Sequence, residues 1–398
     1  MAVSPKVYEG DSRESGFIRI ALVSTVPYFL VSQLGGVIRR LLDRGYRVEV
    51  VTSAGVELEE LPRHPNLKVV VIEIPRRLAP LRDLWALFRL YLYFRRSNVD
   101  ILHSTTPKAG LLCAVAARMA RVPIRIHTFT GQPWATRKGI WRKILKGMDK
   151  LILVSSTYCY ADSPSQREFL IQEGLAHGDE LGVLGLGSLG GVDMERFSRD
   201  RWNEETGTNL RRSLGIGLGD FVILYLGRIT REKGIRELLR AFRELRRTFS
   251  DVHLLLVGPV EKGEDELASW AEGMEGVQLL GYQPDPAQVI SISDVLCLPS
   301  YREGFGTVVI EAAAMGVPTV GSKISGLVDA VVDGETGILV PPRKPDALRK
   351  ALEFMLTHPK ERKALGEKAM KRAKEGFSTD RMAQLWMEAY EYWRRKRA

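Results

Sequence analysis

Apolar and polar positions along the first half of the chain follow a repeating pattern of strand, helix and strand. Residues 17–24 (FIRIALVS) and 47–52 (RVEVVT) are apolar runs of strand length. Between them, residues 34–44 have helical spacing and end at Gly45. Further strands are predicted at 67–74, 101–104, 124–128 and 151–155, and further helices at 76–96 and 110–120. This alternation predicts βαβ units and a parallel sheet.

The same pattern resumes in the second half of the chain. Residues 221–227 (FVILYLG) form a nearly continuous apolar run, typical of a central parallel strand. Strands at 253–258, 277–281 and 295–298 follow, with helical segments between them. The polar segment 198–209 is interpreted as a linker, so we expect domains at 1–195 and 210–378. A last helix, 379–397, has one apolar face and is expected to pack back on the first domain.

Composition and cysteine content are those of an intracellular globular protein. The chain has 398 residues, of which 45% are hydrophobic and 27% charged, enough for two separate cores. No apolar run reaches the ~20 residues of a membrane-spanning helix. The three cysteines are unclustered, which favours a reducing compartment without disulfides or a zinc site. The polar first residues show no secretory leader. We therefore expect a cytoplasmic protein.

Positive charge is concentrated in the first half of the chain. Residues 1–190 contain 26 Lys and Arg against 17 Asp and Glu, whereas residues 191–398 contain 32 against 31. Such asymmetry indicates an anionic partner for the first domain. A membrane surface and a nucleic acid both fit.

The block 299–342 (PSYREGFGTVVIEAAAMGVPTVGSKISGLVDAVVDGETGILVPP) carries the candidate chemistry. A strand end and a glycine-containing turn precede an apolar, alanine-rich helix. Free N–H groups at the start of that helix, at Gly306 and Thr307, suit a phosphate. Glu303 and Glu311 bracket this anion site and stand up to ~12 Å apart if the span between them is helical. That separation suits a diphosphate with a sugar at either end.

This block resembles the donor-binding signature of the retaining glycosyltransferases called family four, and the resemblance continues over its whole length without a gap. The resemblance implies an α/β protein of the GT-B fold, with two Rossmann-like βαβ domains facing a cleft. It implies that Glu311 binds the ribose of a nucleotide sugar, with UDP the expected nucleotide, and that Glu303 contacts the transferred hexose. Phe305, Gly306 and Thr307 are then donor-binding residues.

A second basic loop follows the strand at 221–227. Its sequence, GRITREKG, places Arg228 and Lys233 just before a helix, where they can form the other half of a diphosphate clamp. In the resembled family the matching Arg and Lys hold the donor diphosphate, next to Gly227. A solvated charge run is the alternative.

Two features of the first domain are also candidates. The turn between Ser24 and Gly36 carries the pair Gly35 and Gly36, and the resembled family brings such a loop to the reaction centre; a plain strand-to-helix connection is the alternative. His127 lies at a strand end, where an open α/β sheet binds ligands, and the family places a donor-contacting histidine there. His103, at a comparable strand end, is expected to be structural.

The sequence contains no Asp-x-Asp, the pattern with which metal-using transferases hold a cation. We therefore expect a metal-independent transferase without a cofactor, whose basic residues stabilise the leaving diphosphate. The segments HTFTGQPWATRKG and DSPSQREFL resemble bacterial capsule, O-antigen and N-glycan transferases. These add an N-acetylhexosamine or N-acetylfucosamine to an undecaprenyl-diphosphate-linked sugar. The resemblance implies a lipid-linked acceptor.

Two basic segments with apolar faces, 76–96 and 135–147, are candidates for contact with the inner face of the cell membrane, with Trp134 and Trp141 as interfacial anchors. A surface helix packing its apolar stripe on the sheet is the alternative for 135–147. A sugar-nucleotide epimerase and a basic nucleic-acid-binding protein also stay open, although the latter leaves the donor block unexplained. The G-x-G-x-x-G at 185–190 lacks the strand and helix context of a dinucleotide site.

Overall fold

A computed structural model describes residues 17–202 and 204–397. The polar start of the chain, on which the expectation of no secretory leader rests, lies outside these residues. The chain divides into two compact units: one runs to Gly191 and takes up the segment from Thr379 onward, and the other comprises Val192–Ser378. The predicted linker 198–209 lies within the second unit. Its helix is anchored there by Arg211, which donates to the carbonyl of Ile292 at 2.7 Å.

The described residues form one parallel sheet in each unit. The strands of the first sheet are β1 (Arg19–Val23), β2 (Arg47–Thr52), β3 (Leu67–Val71), β4 (Ile101–Thr105), β5 (Ile124–Phe129), β6 (Tyr158–Ala161) and β7 (Leu181–Gly182). Their order is β3-β2-β1-β4-β5-β6-β7. The second sheet has the strands β8 (Phe221–Leu226), β9 (Val252–Val257), β10 (Val277–Gly281), β11 (Val295–Leu298), β12 (Thr319–Ser322) and β13 (Gly337–Val340). Their order is β10-β9-β8-β11-β12-β13.

Helices connect the strands and cover the sheets. In the first unit they are α1 (Pro27–Asp43), α2 (Pro80–Arg96), α3 (Pro107–Met119), α4 (Gly139–Ser155) and α5 (Pro164–Gln172). The second unit contains α6 (Glu204–Ser213), α7 (Ile235–Thr248), α8 (Asp265–Glu272), α9 (Pro286–Ser291), α10 (Thr307–Ala314), α11 (Leu327–Ala330), α12 (Pro345–Thr357) and α13 (Pro359–Gly376). The last helix, α14 (Thr379–Arg397), belongs to the first unit. Within the described ranges, no helix has both the length and the apolarity to cross a membrane.

Alternating residues of β1 build two cores in the first unit. Ile20 and Leu22 pack with α1 and α14, while Ala21 and Val23 pack with α2 and α3 on the other side of the sheet. The period-2 pattern of a strand produces this division, because successive side chains point to opposite faces. The apolar face of α14 is buried as predicted, and the indole of Trp386 donates to the carbonyl of Leu189 at 2.8 Å.

The prediction of a strand at 151–155 is wrong, because these residues form the end of α4. The buried positions follow the helical period, since Ile152 and Ser155 are buried whereas Leu151 and Val154 are exposed. An apolar run of this length does not by itself distinguish a strand from a helix end. The strand forms a few residues later, as β6. By contrast, the predicted cap of α5 is confirmed, because the Ser163 hydroxyl accepts from the backbone N–H of Gln166 at 3.2 Å.

Candidate functional site

The candidate site of the second unit lies where its strand order reverses. β8 and β11 are neighbours in the sheet, but the chain runs from β8 to one side and from β11 to the other. The loops 227–234 and 299–306 leave the carboxyl ends of these two strands at the same edge. In open parallel sheets, ligands bind in the crevice at such a switch point.

Close backbone contact holds these two loops together. Gly234 has φ +72°, and a Cβ there would lie 2.1 Å from the carbonyl oxygen of Pro299. The backbone N–H of Tyr301 donates to the carbonyl of Glu232 at 2.9 Å. Arg302 and Glu232 add an ion pair at 3.2 Å. Glycine is required at 234 because any side chain would push the loops apart.

The structure brings Lys233 and Glu303 into direct contact. The Lys233 ammonium lies 2.5 Å from a carboxylate oxygen of Glu303, and the Ser300 hydroxyl donates to the same oxygen at 2.7 Å. Both side chains are mostly shielded, with 20% and 12% of their surfaces exposed. A charge so shielded is costly when unpaired, so each group offsets the cost of burying the other.

Arg228 is paired with a carboxylate that the sequence reasoning missed. It forms an ion pair with Glu261, which follows the carboxyl end of β9. The backbone around Arg228 is fixed as well, because the Tyr225 hydroxyl donates to its carbonyl at 2.7 Å. The preceding Gly227 has φ +152°. Residues that follow neighbouring parallel strands share one edge of the sheet, and this rule could have identified Glu261 from the sequence.

The helix α10 begins at the same edge. Gly306, at its N-cap position, has φ +89°, and Thr307 is its first residue. The positive end of the helix dipole at such a helix start favours an anion. Phe305 differs from the prediction, because its side chain is 3% exposed and packs against Phe377 with ring centroids 5.2 Å apart. Its side chain therefore belongs to the core, and a donor contact through its backbone stays a prediction.

Glu311 lies in the second turn of α10 and is partly buried. Burial raises the pKa of its carboxyl group to about 7, and the positive charge of Arg196 opposes this shift. Among the described residues its carboxyl group has no hydrogen-bonding partner. A partly buried carboxylate with free acceptor capacity is suited to bind ligand hydroxyl groups.

In the first unit, the His127 side chain is buried between β5 and helix α3. Its ring is 1% exposed, and its Nδ1 lies 3.0 Å from the Ser104 hydroxyl. The ring packs so closely on α3 that a Cβ at Gly110 would lie 2.3 Å from it. Burial lowers the pKa of His127 to about 3, so the ring is neutral at physiological pH. A donor contact of His127 stays a prediction.

The other strand-end histidine, His103, is engaged through both ring nitrogens. Nδ1 lies 2.7 Å from the Tyr390 hydroxyl, and Nε2 lies 2.8 Å from the Thr128 hydroxyl. Its ring also contacts that of Trp386. Burial, with a smaller effect of His127, lowers the pKa of His103 to about 3. These contacts join α14 to the sheet, as the structural role expected of His103 requires.

The expectation that Gly35 and Gly36 belong to the turn after β1 is wrong. Both glycines lie inside α1, in agreement with the helical spacing of residues 34–44. A Cβ at Gly36 would lie 2.6 Å from the Thr379 side chain at the start of α14, so helix packing explains this glycine. A Cβ at Gly35 would meet no atom of the described chain within 4 Å. The strand-to-helix connection is short, and donor binding by the pair stays a prediction.

The switch point of the first sheet presents two threonines that the sequence reasoning missed. The loops after β1 and β4 are joined there by the hydroxyls of Thr25 and Thr106, 3.1 Å apart. Thr106 has φ +66°, an outlier for a β-branched residue. Such backbone strain concentrates at functional sites. Nothing in the local sequence signals this conformation.

The prediction that Trp134 is an interfacial anchor is wrong. Its side chain is fully buried, and its indole donates to the carboxylate of Asp149 at 2.7 Å. Arg142 and Lys146 lie over its ring and both pair with Glu173, so these two basic groups also face the protein. The Trp134 side chain is large and apolar with one polar N–H, and burial against Asp149 satisfies both properties.

Two family profiles match the chain, one in each half. The family described as "Glycosyl transferases group 1" matches residues 207–372. The family "Glycosyltransferase Family 4" matches residues 33–179. The first contains the loops of Lys233 and Glu303, and the second contains β5 and α4.

The chain is also similar to curated proteins in sequence and to solved structures in fold. The chain is 32% identical to the capsular polysaccharide biosynthesis glycosyltransferase CapM of Staphylococcus aureus, over 86% of this chain and 89% of that protein. It is 26% identical to the UDP-Gal:alpha-D-GlcNAc-diphosphoundecaprenol alpha-1,3-galactosyltransferase of Escherichia coli, over 70% of this chain and 71% of that protein. Anabaena Alr3699/HepE, solved in complex with UDP and glucose, superposes with a TM-score of 0.79 at 20% identity, covering 94% and 100% of the two chains.

Proposed function

Because the chain belongs to the family 4 and group 1 glycosyltransferases and has their GT-B fold, we propose that it moves an N-acetylated hexosamine from a UDP-sugar to a lipid-linked glycan. The observation that carries the donor site is the contact of Lys233 with Glu303, at 2.5 Å, where the strand order of the second sheet reverses. The N-terminus of α10 lies at the same edge. Diphosphate and hexose then bind side by side.

The proposed mechanism depends on exchange of ion-pair partners. When the donor binds, its diphosphate replaces Glu303 as the partner of Lys233, and Arg228 likewise turns from Glu261 to phosphate. Glu303, still bonded to Ser300, then accepts hydrogen bonds from hydroxyls of the transferred hexose. Cleavage of the anomeric C–O bond leaves its electron pair on the diphosphate, where Lys233, Arg228 and the start of α10 stabilise the developing charge. The acceptor hydroxyl oxygen bonds to the anomeric carbon, and its proton passes to the departing diphosphate. The proposal includes retention of anomeric configuration, on the resemblance to family four.

The proposal also includes catalysis without a metal ion. Two cationic side chains and a helix N-terminus supply positive charge at the diphosphate, the contribution that a divalent cation makes in metal-using transferases. Turnover in excess EDTA that equals turnover in Mg²⁺ is the expected result. Loss of turnover in EDTA, with recovery on adding Mg²⁺ or Mn²⁺, would contradict this part.

The proposed acceptor and location are supported by the charge of the first half of the chain and by one relative. A lipid-linked acceptor is held at a membrane surface, and we place the enzyme as a peripheral protein at the inner face of the cell membrane. The positive charge concentrated in residues 1–190 supports this placement, since anionic lipids attract Lys and Arg. A lipid-linked acceptor is also the substrate in the printed name of the Escherichia coli relative.

The test is a panel of nucleotide sugars, with release of nucleoside diphosphate as the readout. UDP-N-acetylhexosamines and UDP-galactose are each supplied with and without an undecaprenyl-diphosphate-linked sugar. We expect acceptor-dependent UDP release from an N-acetylated donor, lost in Lys233→Ala and kept in Lys371→Ala, an exposed lysine on α13. Conversion of the donor alone, without need of an acceptor, would instead identify an epimerase.

A further inference from the structure

The helix α2 has two apolar stripes on opposite sides. Ala86, Leu90 and Phe94 form the inner stripe and are buried against the sheet. The outer stripe has the same helical spacing but is exposed. It consists of Leu81, Leu84, Trp85 and Phe88, with 86% of Leu81 and 61% of Trp85 accessible. A surface helix ordinarily places polar residues there, so this second stripe is not explained by folding of the chain.

The helix α4 repeats the arrangement. Asp149, Ile152 and Ser155 are buried on its inner side. Its outer side carries an exposed apolar stripe of Ile140, Ile144, Leu151 and Val154, and Trp141 is exposed beside it in the first turn of the helix. Trp141 is 56% exposed. The stripe therefore extends over the whole length of the helix.

The two stripes lie on one side of the first sheet. α3 packs against both α2 and α4 and lies between them. Its own outward positions are apolar too: Leu111 and Val115 are partly exposed, and Met119 is exposed. We call the exposed apolar residues of α2, α3 and α4 the outer face. Contiguous exposed apolar surface on this scale marks a site of interaction.

Charged residues around the outer face are positive. Arg82 and Arg89 of α2 and Lys143 and Lys150 of α4 are exposed beside the two stripes. The acidic residues of the two helices are turned away from solvent, within segments that the structure describes completely. Asp83 pairs with Lys108 at 2.6 Å, and Asp149 accepts from the buried indole of Trp134. The outer face thus combines apolar and cationic groups without exposed carboxylates.

We propose that the outer face binds an anionic lipid bilayer, with its apolar stripes at the acyl boundary and its basic side chains among the headgroups. Helices that lie in the plane of a membrane have this combination of an apolar stripe and flanking Lys and Arg. The two exposed tryptophans fit the interface, where an amphipathic ring is favourable. This assignment rests on the proposed function and deepens it, because a lipid-linked acceptor is presented at a bilayer.

The test is co-sedimentation of the full chain with vesicles of phosphatidylcholine containing graded fractions of phosphatidylglycerol, at low and physiological salt. Binding is expected to rise with the anionic fraction and to weaken with salt, because headgroup attraction is screened. Lys143→Gln and Lys150→Gln are each expected to weaken binding roughly fivefold. Quenching of tryptophan fluorescence by brominated lipids is expected to fall in the double variant Trp85→Phe/Trp141→Phe. Vesicle binding by this variant is expected to stay near that of the parent.

Serine substitutions separate the apolar contribution. Leu81→Ser/Leu84→Ser is expected to lower the partition coefficient by tenfold or more, on the order expected for losing two buried aliphatic side chains. Leu218→Ser is the matched control, because Leu218 is 73% exposed and belongs to the second unit, so it is not part of the outer face. All three leucines are exposed, so these substitutions remove no buried contact and folding is expected to be preserved in each variant.

Each outcome distinguishes this inference from the proposed function. One outcome is that the parent fails to bind anionic vesicles at low salt and still transfers sugar normally to a detergent-dispersed acceptor. That result would refute membrane binding by the outer face and leave the proposed function standing. Equal binding to neutral vesicles would overturn its anionic preference. If the parent self-associates without binding vesicles, and Leu81→Ser/Leu84→Ser abolishes the self-association, the outer face is a contact between copies of the chain and not a bilayer-binding surface. Vesicle binding with no transfer would support the outer face and refute the proposed function.

Discussion

Replacement of Glu311 by glutamine is predicted to stabilise the chain while weakening the donor site. Burial raises the pKa of Glu311 from 4.5 to about 7 in the folded protein. The folded state therefore binds the proton more tightly than the unfolded state, and stability falls as pH rises from about 4.5 to about 7. Above that window the ionised carboxylate costs up to about 3 kcal/mol, from 1.36 kcal/mol per unit of pKa. Glutamine has nearly the same shape and no charge.

The assay is thermal unfolding of the parent and of Glu311→Gln at about pH 8 and about pH 5. At the higher pH the melting temperature of the variant should exceed that of the parent by roughly 6–12 °C at most. This is the shift that a free energy of this size produces in a unit of about 200 residues. Near pH 5 most of the difference should disappear, because the parent carboxyl is then protonated in the folded state. Glu367→Gln, at an exposed position of α13, is the matched control and should change little at either pH.

Donor affinity provides the second readout of the same variant. A carboxylate accepting ribose hydroxyls makes charge-assisted hydrogen bonds, so glutamine should weaken UDP binding about tenfold. In the parent, UDP binding should weaken below pH 7 as Glu311 takes up its proton. An equal stability difference at both pH values would refute the buried charge. Unchanged UDP affinity in Glu311→Gln would refute the ribose contact.

Three further predictions concern the remaining site and the fold. Lys233→Ala and Arg228→Ala should each lower turnover by ~10²-fold or more, since each removes charge stabilisation from the leaving diphosphate; near-normal turnover in both would refute the clamp. Glu303→Ala should act mainly on kcat, and its effect should not add to that of Lys233→Ala, because the two side chains are partners; additive losses in a double-mutant cycle would contradict that coupling. Ser163→Ala should destabilise the first unit by about 1 kcal/mol through loss of the α5 cap, and an unchanged urea midpoint would show that the cap contributes nothing.

Predictions from the sequence succeeded where a local pattern decides the structure. The run 221–227 forms β8 because a strand buried on both faces needs a continuous apolar sequence. The helix start after Ser163 follows from its cap and from Pro164. The turn before α10 likewise follows from Gly306, whose positive φ suits glycine. In each case the information lies within a few neighbouring residues.

Predictions failed where a distant contact decides. Gly36 looks like a loop residue, but it packs against Thr379, which is far away in the sequence. Trp134 has the composition of a membrane anchor, but Asp149 gives its indole a buried partner. The pairing of Arg228 with Glu261 joins two strand ends, which periodicity does not reveal. Such tertiary contacts override local propensity.

The most direct test of the account is characterisation of the product made from the UDP-sugar donor and the undecaprenyl-diphosphate-linked acceptor. The account predicts one UDP released for each acceptor that gains one N-acetylhexosamine in mass. It also predicts an anomeric configuration in the product, determined by NMR, that equals that of the donor. UDP release with no gain in acceptor mass would contradict glycosyl transfer, and a product with inverted configuration would contradict the retaining mechanism.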